Sequence, residues 1–324
     1  MKRILSLFLI CMIFVGCGTK TENNKNDKVT FLIDWTPNTN HTGIYVALEK
    51  GFYEQEGIDL EILNPPEQST DGLVASGKAD FGISFQDSIC MAMNENENFP
   101  VVAIATIIQH NTSGILSLKE KDIDNFKKLE GKTYATWDNA LEQAIISQVM
   151  KNEGGDFSKV KLYHSYVTDA LSAIQTNVDA VWVFEAWDVI QAKTKGLDYN
   201  FIKFKDVEPK LDFYTPVIIS SQKYLQQNED VTKRFLNATK KGYEYAIQNP
   251  EESAKILYKY APEYDLNMLI ESQKYLANEY KSDVEQWGYI DPKRWNDFFS
   301  WAYENGIITK DLKDKGFTNY YLPQ

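Results

Sequence analysis

FLIDWTPNTNHTGIYVALEKG, residues 31–51, decides how the chain is read. Phe31-Leu32-Ile33 is a short apolar run, long enough for a buried strand. Asp34 to Asn40 is a polar turn around Pro37, which cannot donate to a sheet ladder. Ile44 to Lys50 reads as a helix, with Thr42 as its N-cap, Lys50 in its last turn and Gly51 as its stop. Strand, loop, helix is the unit of an open α/β sheet, and such sheets bind ligands outside the carboxyl ends of their strands. The loop carries Trp35, Asn38, Asn40 and His41: one flat apolar face and several hydrogen-bonding groups. No glycine-rich cradle accompanies them, so a small planar polar ligand suits the loop better than a phosphate.

The unit recurs along the chain. Leu60–Leu63, Phe81–Ser84 and Val101–Ile108 read as strands, with helices at Asp71–Ser76 and Asp87–Asn94 and a turn forced by Pro65-Pro66. A polar crossing, Gln109 to Gly114, opens a second series. Its strands are Ile115–Leu118, Lys132–Thr136, Val160–Tyr163, Ala180–Phe184 and Phe201–Phe204. Its helices are Ala140–Lys151, Ala170–Thr176 and Val189–Lys195. Tyr214-Thr215-Pro216 and Val217–Ser220 read as the return crossing, and the remainder is helical, over Asp230–Gln248, Pro250–Tyr260, Leu266–Tyr280 and Pro292–Glu304. Alternating strands and helices predict an α/β fold of two parallel-rich lobes. One lobe comprises 29–113 plus 217–324 and the other 114–216, with a hinge of two crossings that closes around a ligand.

The N-terminus sets the compartment. Lys2-Arg3 precedes an apolar run, Ile4 to Val15, too short to span a bilayer as a ~20-residue helix. Residues 1–16 read as a cleaved signal peptide, and Phe14-Val15-Gly16-Cys17 as a lipobox that leaves Cys17 lipidated. Residues 17–28 then form a polar tether, which places the protein on the extracytoplasmic face of the cell membrane. Of three cysteines only Cys90 stays in the fold, so neither an internal disulfide nor a cysteine-based metal cluster is expected. The net charge of −12 argues against nucleic acid as a partner.

Ligand contacts are expected where strand ends face the gap between lobes. Trp35, Asn38 and His41 qualify from the opening stretch, Phe85 and Gln86 after the third strand, and Asn111 at the crossing. The second lobe supplies Trp137, Glu185 and Trp187, and the return crossing Tyr214. Trp35 and Trp187 either sandwich a ring or pack beneath a lobe; Phe85 has the same two roles open to it. Glu185 follows an apolar strand directly, where a carboxylate needs a partner. It accepts from a ligand's amino group or ring N–H, or else makes a salt bridge or helix cap. His41 binds ligand or holds the loop, and Asn38 binds ligand or braces the turn. The chain has no GxSxG, no HExxH and no phosphate loop, and its three histidines are far apart in sequence. No catalytic residue, metal or cofactor is therefore expected.

DWTPNTNHTGIYVALEKGFYEQEG, ASGKADFGISFQD, IIQHNTSG, GGDFSKVK, WVFEAWD, YTPVII, KGYEYAI and YENGI occur in this order along nearly the whole mature chain. The series resembles the substrate-binding lipoproteins of thiamine-precursor ABC importers, in the NMT1/THI5-like group. The resemblance implies a type II periplasmic-binding fold, a monomer without cofactor, and partnership with an ABC permease and its ATPase. The implied ligand is N-formyl-4-amino-5-aminomethyl-2-methylpyrimidine or a close aminopyrimidine. By position, the family's cleft residues fall at Trp35, Asn38, Phe85, Glu185, Trp187 and Tyr214. TWDNALEQA departs from the GWGS-like loop of many relatives. The same group holds fungal enzymes that build the pyrimidine from their own histidine and a lysine-bound pyridoxal phosphate. At the matching places this chain has Ser84 and Ser88, and WVFEAWD lacks their cysteines. The alternatives left open are a receptor for an alkanesulfonate, nitrate or riboflavin-like solute, and a pyrimidine-synthesising enzyme.

Overall fold

The structure, a computed structural model, describes residues 26–64, 69–164 and 167–323. The signal segment, Cys17, most of the tether and the Pro65-Pro66 turn lie outside them. Among the described residues, ten strands form two five-stranded sheets. The first sheet has the order β2-β1-β3-β10-β4 and is built from β1 (Asp27–Leu32), β2 (Ile58–Leu63), β3 (Phe81–Ser84), β4 (Val101–Thr106) and β10 (Val217–Ser221). The second has the order β7-β6-β8-β5-β9 and takes β5 (Ser113–Leu118), β6 (Thr133–Ala135), β7 (Lys161–Tyr163), β8 (Ala180–Phe184) and β9 (Tyr199–Lys203). β1 thus begins inside the stretch expected to be tether.

In each sheet four strands point one way and one points back. β10 is antiparallel to β3 and β4, and β5 is antiparallel to β8 and β9. Each reversed strand is the first after a crossing. The chain leaves one sheet at the carboxyl end of a strand and enters the other at that same level, so the incoming strand must run away from the gap. The sequence pattern is parallel-rich because it reports the helix-linked strands and not the two crossings.

The opening stretch folds with one change of detail. Helix Thr42–Glu49 includes Thr42, and a 3-10 turn, Thr39–His41, precedes it. Asn38, not Thr42, is the cap: its side chain accepts from the Asn40 N–H at 2.9 Å. Gly51 ends the helix with φ +69°, a left-handed conformation that glycine adopts without strain.

The core explains why this loop is rigid. Phe81 stacks on Phe235 with centroids 4.1 Å apart, bonding β3 to helix Glu229–Gln248. That helix crosses Thr42–Glu49 so closely that a Cβ on Gly242 would lie 2.0 Å from the Gly43 carbonyl. Tyr243, beside the crossing, donates to the Asn40 carbonyl at 2.7 Å. Tyr280 donates to that of Thr39 at 2.6 Å. Two buried tyrosines therefore fix the loop's backbone from below. Among the described residues no helix is long and apolar enough to cross a membrane.

Candidate functional site

A cavity of about 320 Å³ lies at the facing strand ends of the two sheets. Asp34, Trp35 and Asn38 to Asn40 line it after β1, Phe85 after β3, and Thr112, Thr215 and Pro216 along the crossings. The opposite wall is Trp137, Thr168, the end of β8 and Ala186 to Asp188. Its size falls at the small end of the ~300–1,000 Å³ of small-molecule sites.

Five of the ten residues expected from sequence line this cavity: Trp35, Asn38, Phe85, Trp137 and Trp187. The two indoles do not form a sandwich. Trp35 and Trp187 meet edge to face, centroids 6.0 Å apart and planes at 80°, and Trp187 also sits edge-on to Tyr264 at 4.8 Å. Trp187 is held in an apolar cluster with Tyr45, Met268 and Leu269, which fixes its plane. Trp137, 43 % exposed, leans on Trp182 at 5.2 Å and leaves a face free. Its backbone N–H donates to the Glu142 carboxylate at 3.0 and 3.1 Å. Glu142 is itself buried and also accepts from Thr136 Oγ1 at 2.9 Å and from Tyr134. Within TWDNALEQA an internal carboxylate thus shapes the turn.

The other five are drawn into bracing roles. His41 has no exposure; its Nδ1 accepts from the Asn38 N–H at 3.3 Å, which leaves the proton on Nε2 to donate to Asp34 at 2.8 Å. His41 is therefore a loop holder. Gln86 accepts from the Tyr214 N–H at 2.9 Å and donates to the Trp295 carbonyl at 2.8 Å, both in the dry interior. The Tyr214 hydroxyl accepts from the Asp291 N–H at 2.9 Å, and burial pushes that phenol up to about 12. Asn111 donates to the Leu211 carbonyl at 2.8 Å and accepts from the Ser113 N–H at 2.9 Å, stitching one crossing to the other.

Glu185 is also outside the cavity lining, for a reason of local geometry. Residues Glu185–Val189 form a π-helical turn, a rare wide turn that favours functional sites. Glu185 and Asp188 leave it on different sides. Glu185 Oε2 takes the Tyr275 hydroxyl at 2.6 Å and Lys203 Nζ at 2.6 Å. Asp188 lines the cavity, with only a long contact from the Phe184 N–H at 3.4 Å. Burial there pushes its carboxyl up to about 7. The sequence holds both acids within WVFEAWD, and only the π turn decides which one faces inward.

The wall is therefore aromatic and acidic. Asp34 and Asp188 line the cavity, and no lysine, arginine or histidine is among the described residues that do. Among the described residues no three His, Cys, Asp or Glu side chains gather to hold a metal ion.

Two α/β units with a cavity at their facing strand ends define a type II periplasmic-binding-protein fold. The alkanesulfonate-binding protein SsuA of Xanthomonas axonopodis, bound to MOPS, shares it at a TM-score of 0.68 with 10% identity, over 91% of this chain and 98% of that one. The Escherichia coli aliphatic sulphonate-binding protein gives 0.67 with 15% identity, over 88% and 89%. Within that fold the chain belongs to the NMT1/THI5 like family, which residues 38–253 match. A formylaminopyrimidine-binding protein of Halalkalibacterium halodurans is 27% identical over 95% of this chain and 97% of its own. A 4-amino-5-hydroxymethyl-2-methylpyrimidine phosphate synthase of Saccharomyces cerevisiae is 24% identical over 91% and 88%.

Proposed function

We propose that this protein is an extracytoplasmic receptor that captures an aminopyrimidine and delivers it to an ABC permease for thiamine salvage. The favoured cargo is N-formyl-4-amino-5-aminomethyl-2-methylpyrimidine. One observation carries the reading: the cavity is walled by Trp35, Phe85, Trp137 and Trp187, and its charged residues are the two acids Asp34 and Asp188. Aromatic faces suit a flat ring, and a carboxylate accepts from an exocyclic amine or ring N–H. An anion would meet repulsion there. The likeness to the formylaminopyrimidine-binding protein of Halalkalibacterium halodurans supports the same cargo.

In this reading the units 29–113 plus 217–324 and 114–216 are lobes that close on the ligand, Trp35, Asn38, Phe85, Trp137, Trp187 and Asp188 contact it, and Cys17 anchors the chain. The test is calorimetry on the purified chain with the formylaminopyrimidine, thiamine, an alkanesulfonate and riboflavin. The expected order puts the formylaminopyrimidine tightest. Tighter binding of the sulfonate would overturn the proposal.

A second reading, a pyrimidine-synthesising enzyme, rests on relatives that bear synthase names. It predicts turnover of bound ligand or of the protein's own histidine. A receptor returns its ligand unchanged and retains its mass.

A further inference from the structure

Helix Leu266–Glu279 contributes no residue to the cavity, yet it touches both walls. Ser272, without any exposure, donates its hydroxyl proton to the Ala186 carbonyl. A carbonyl only accepts, so that one proton is committed. The neighbouring contact, Thr39 Oγ1 to Ser272 Oγ at 2.6 Å, must then have Thr39 as donor. The result is a directed relay, Thr39 O–H to Ser272 O–H to Ala186 C=O. Its two ends, Thr39 and Ala186, line the cavity on opposite walls. Three residues further along the same helix face, Tyr275 donates to Glu185 in the same π turn.

We infer that Ser272 is a positioning residue for ligand capture: its hydroxyl ties the Thr39 loop to the Ala186 turn, so closure of the cavity depends on a helix that never touches the ligand. The inference rests on the reading of the cavity as the ligand site. When the walls part, Thr39 and Ala186 regain water. When they meet without the Ser272 hydroxyl, the buried Thr39 hydroxyl loses its acceptor and the Ala186 carbonyl loses this donor, which disfavours the closed form. Losing this joint therefore opens the cleft without altering any surface the ligand contacts. Association changes little and dissociation accelerates.

The decisive experiment measures amide hydrogen exchange of Ser272→Ala in the unliganded full chain, together with stopped-flow tryptophan fluorescence using the formylaminopyrimidine as probe. Exchange at Trp187 to Ile190 is expected to rise about tenfold, with helix Pro292–Glu304 unchanged. Probe dissociation is expected to rise about tenfold, with association within about threefold of the wild type. Thr39→Val removes the first donor and keeps the shape, and it is expected to raise exchange at Trp187 to Ile190 in the same direction; because Thr39 lines the cavity, the dissociation readout is taken from Ser272→Ala. Should Ser272→Ala unfold, seen as faster exchange in every helix, Thr39→Val decides. Wild-type exchange at Trp187 to Ile190 in the folded variants overturns the role of Ser272. Failure of the wild type to bind the probe removes the proposed cargo, while the exchange comparison still tests the joint.

Discussion

Replacing Asp188 with Asn should make the protein more stable and a worse receptor. Burial lifts the Asp188 carboxyl from the ordinary 3.8 to about 7. The folded chain thus holds this proton more tightly than the unfolded chain does. The stability so contributed is complete below about 3.8 and is lost as pH rises through about 7. At ~1.4 kcal/mol for each pH unit of that interval, the loss comes to about 4 kcal/mol. Asparagine carries no charge to desolvate, and its carbonyl oxygen can still accept from the Phe184 N–H. Urea unfolding at pH 4.5 and pH 8 measures the difference. The variant's stability relative to wild type should climb by about 3 kcal/mol between the two, since part of the interval lies below pH 4.5. Binding should move the other way. A charge-assisted hydrogen bond contributes roughly 1.5–3 kcal/mol, so affinity for the formylaminopyrimidine at pH 8 should fall between about tenfold and 150-fold. A stability difference independent of pH, with unchanged affinity, would refute the assignment of Asp188 to the wall. A pH-dependent gain with unchanged affinity would leave Asp188 in the wall and remove it from the ligand.

Glu185→Gln should lower affinity by less than about threefold and stability by about 1 kcal/mol, since its half-buried carboxylate serves Lys203 and Tyr275; a hundredfold loss in calorimetry would return Glu185 to the ligand. Trp137→Ala should weaken binding about 2- to 10-fold, the value of one stacking face, with little change in Tm because the ring is already 43 % exposed. Gly242→Ala should cost about 3 kcal/mol in urea unfolding, because its Cβ meets the Gly43 backbone at 2.0 Å and backbone cannot rotate aside. A stable Gly242→Ala protein would show that the two helices part more readily than their packing implies.

Periodic elements were legible in the sequence, and single side-chain directions were not. Strands Phe81–Ser84 and Ala180–Phe184 and helices Ala170–Thr176 and Pro292–Glu304 match their expected bounds, because apolar patterning, caps and proline mark them. Helix Gln222–Gln227 was hidden by the polar run that follows β10. For the site, the loop after β1 and the end of β8 were found because strand ends at the gap are a topological fact. What remained hidden was how each residue turns. Gln86, Asn111 and Tyr214 sit at the right level but meet buried backbone groups that only the folded crossings bring near. Glu185 and Asp188 are exchanged by a π turn that leaves no periodic signature over five residues. The edge-to-face meeting of Trp35 and Trp187 depends on helices more than 60 residues away in sequence.

On the proposed reading the fold alone would point to the wrong cargo, and the charge of the wall is the reason. An alkanesulfonate-binding protein matches this backbone at a TM-score of 0.68. A sulfonate placed about 4 Å from one ionised wall carboxylate is repelled by about 4 kcal/mol at an effective dielectric of 20, near a thousandfold in affinity. Asp34 lines the cavity as one such group and Asp188, raised to about 7 by burial, becomes a second as pH rises above that value, while the cation Lys203 is taken up by Glu185. Reversing that preference would require new cations in the wall as well as the loss of both acids. The same backbone thus serves opposite ligand charges through a few side chains at its strand ends. In this chain those side chains favour a ring that brings hydrogen-bond donors over one that brings negative charge.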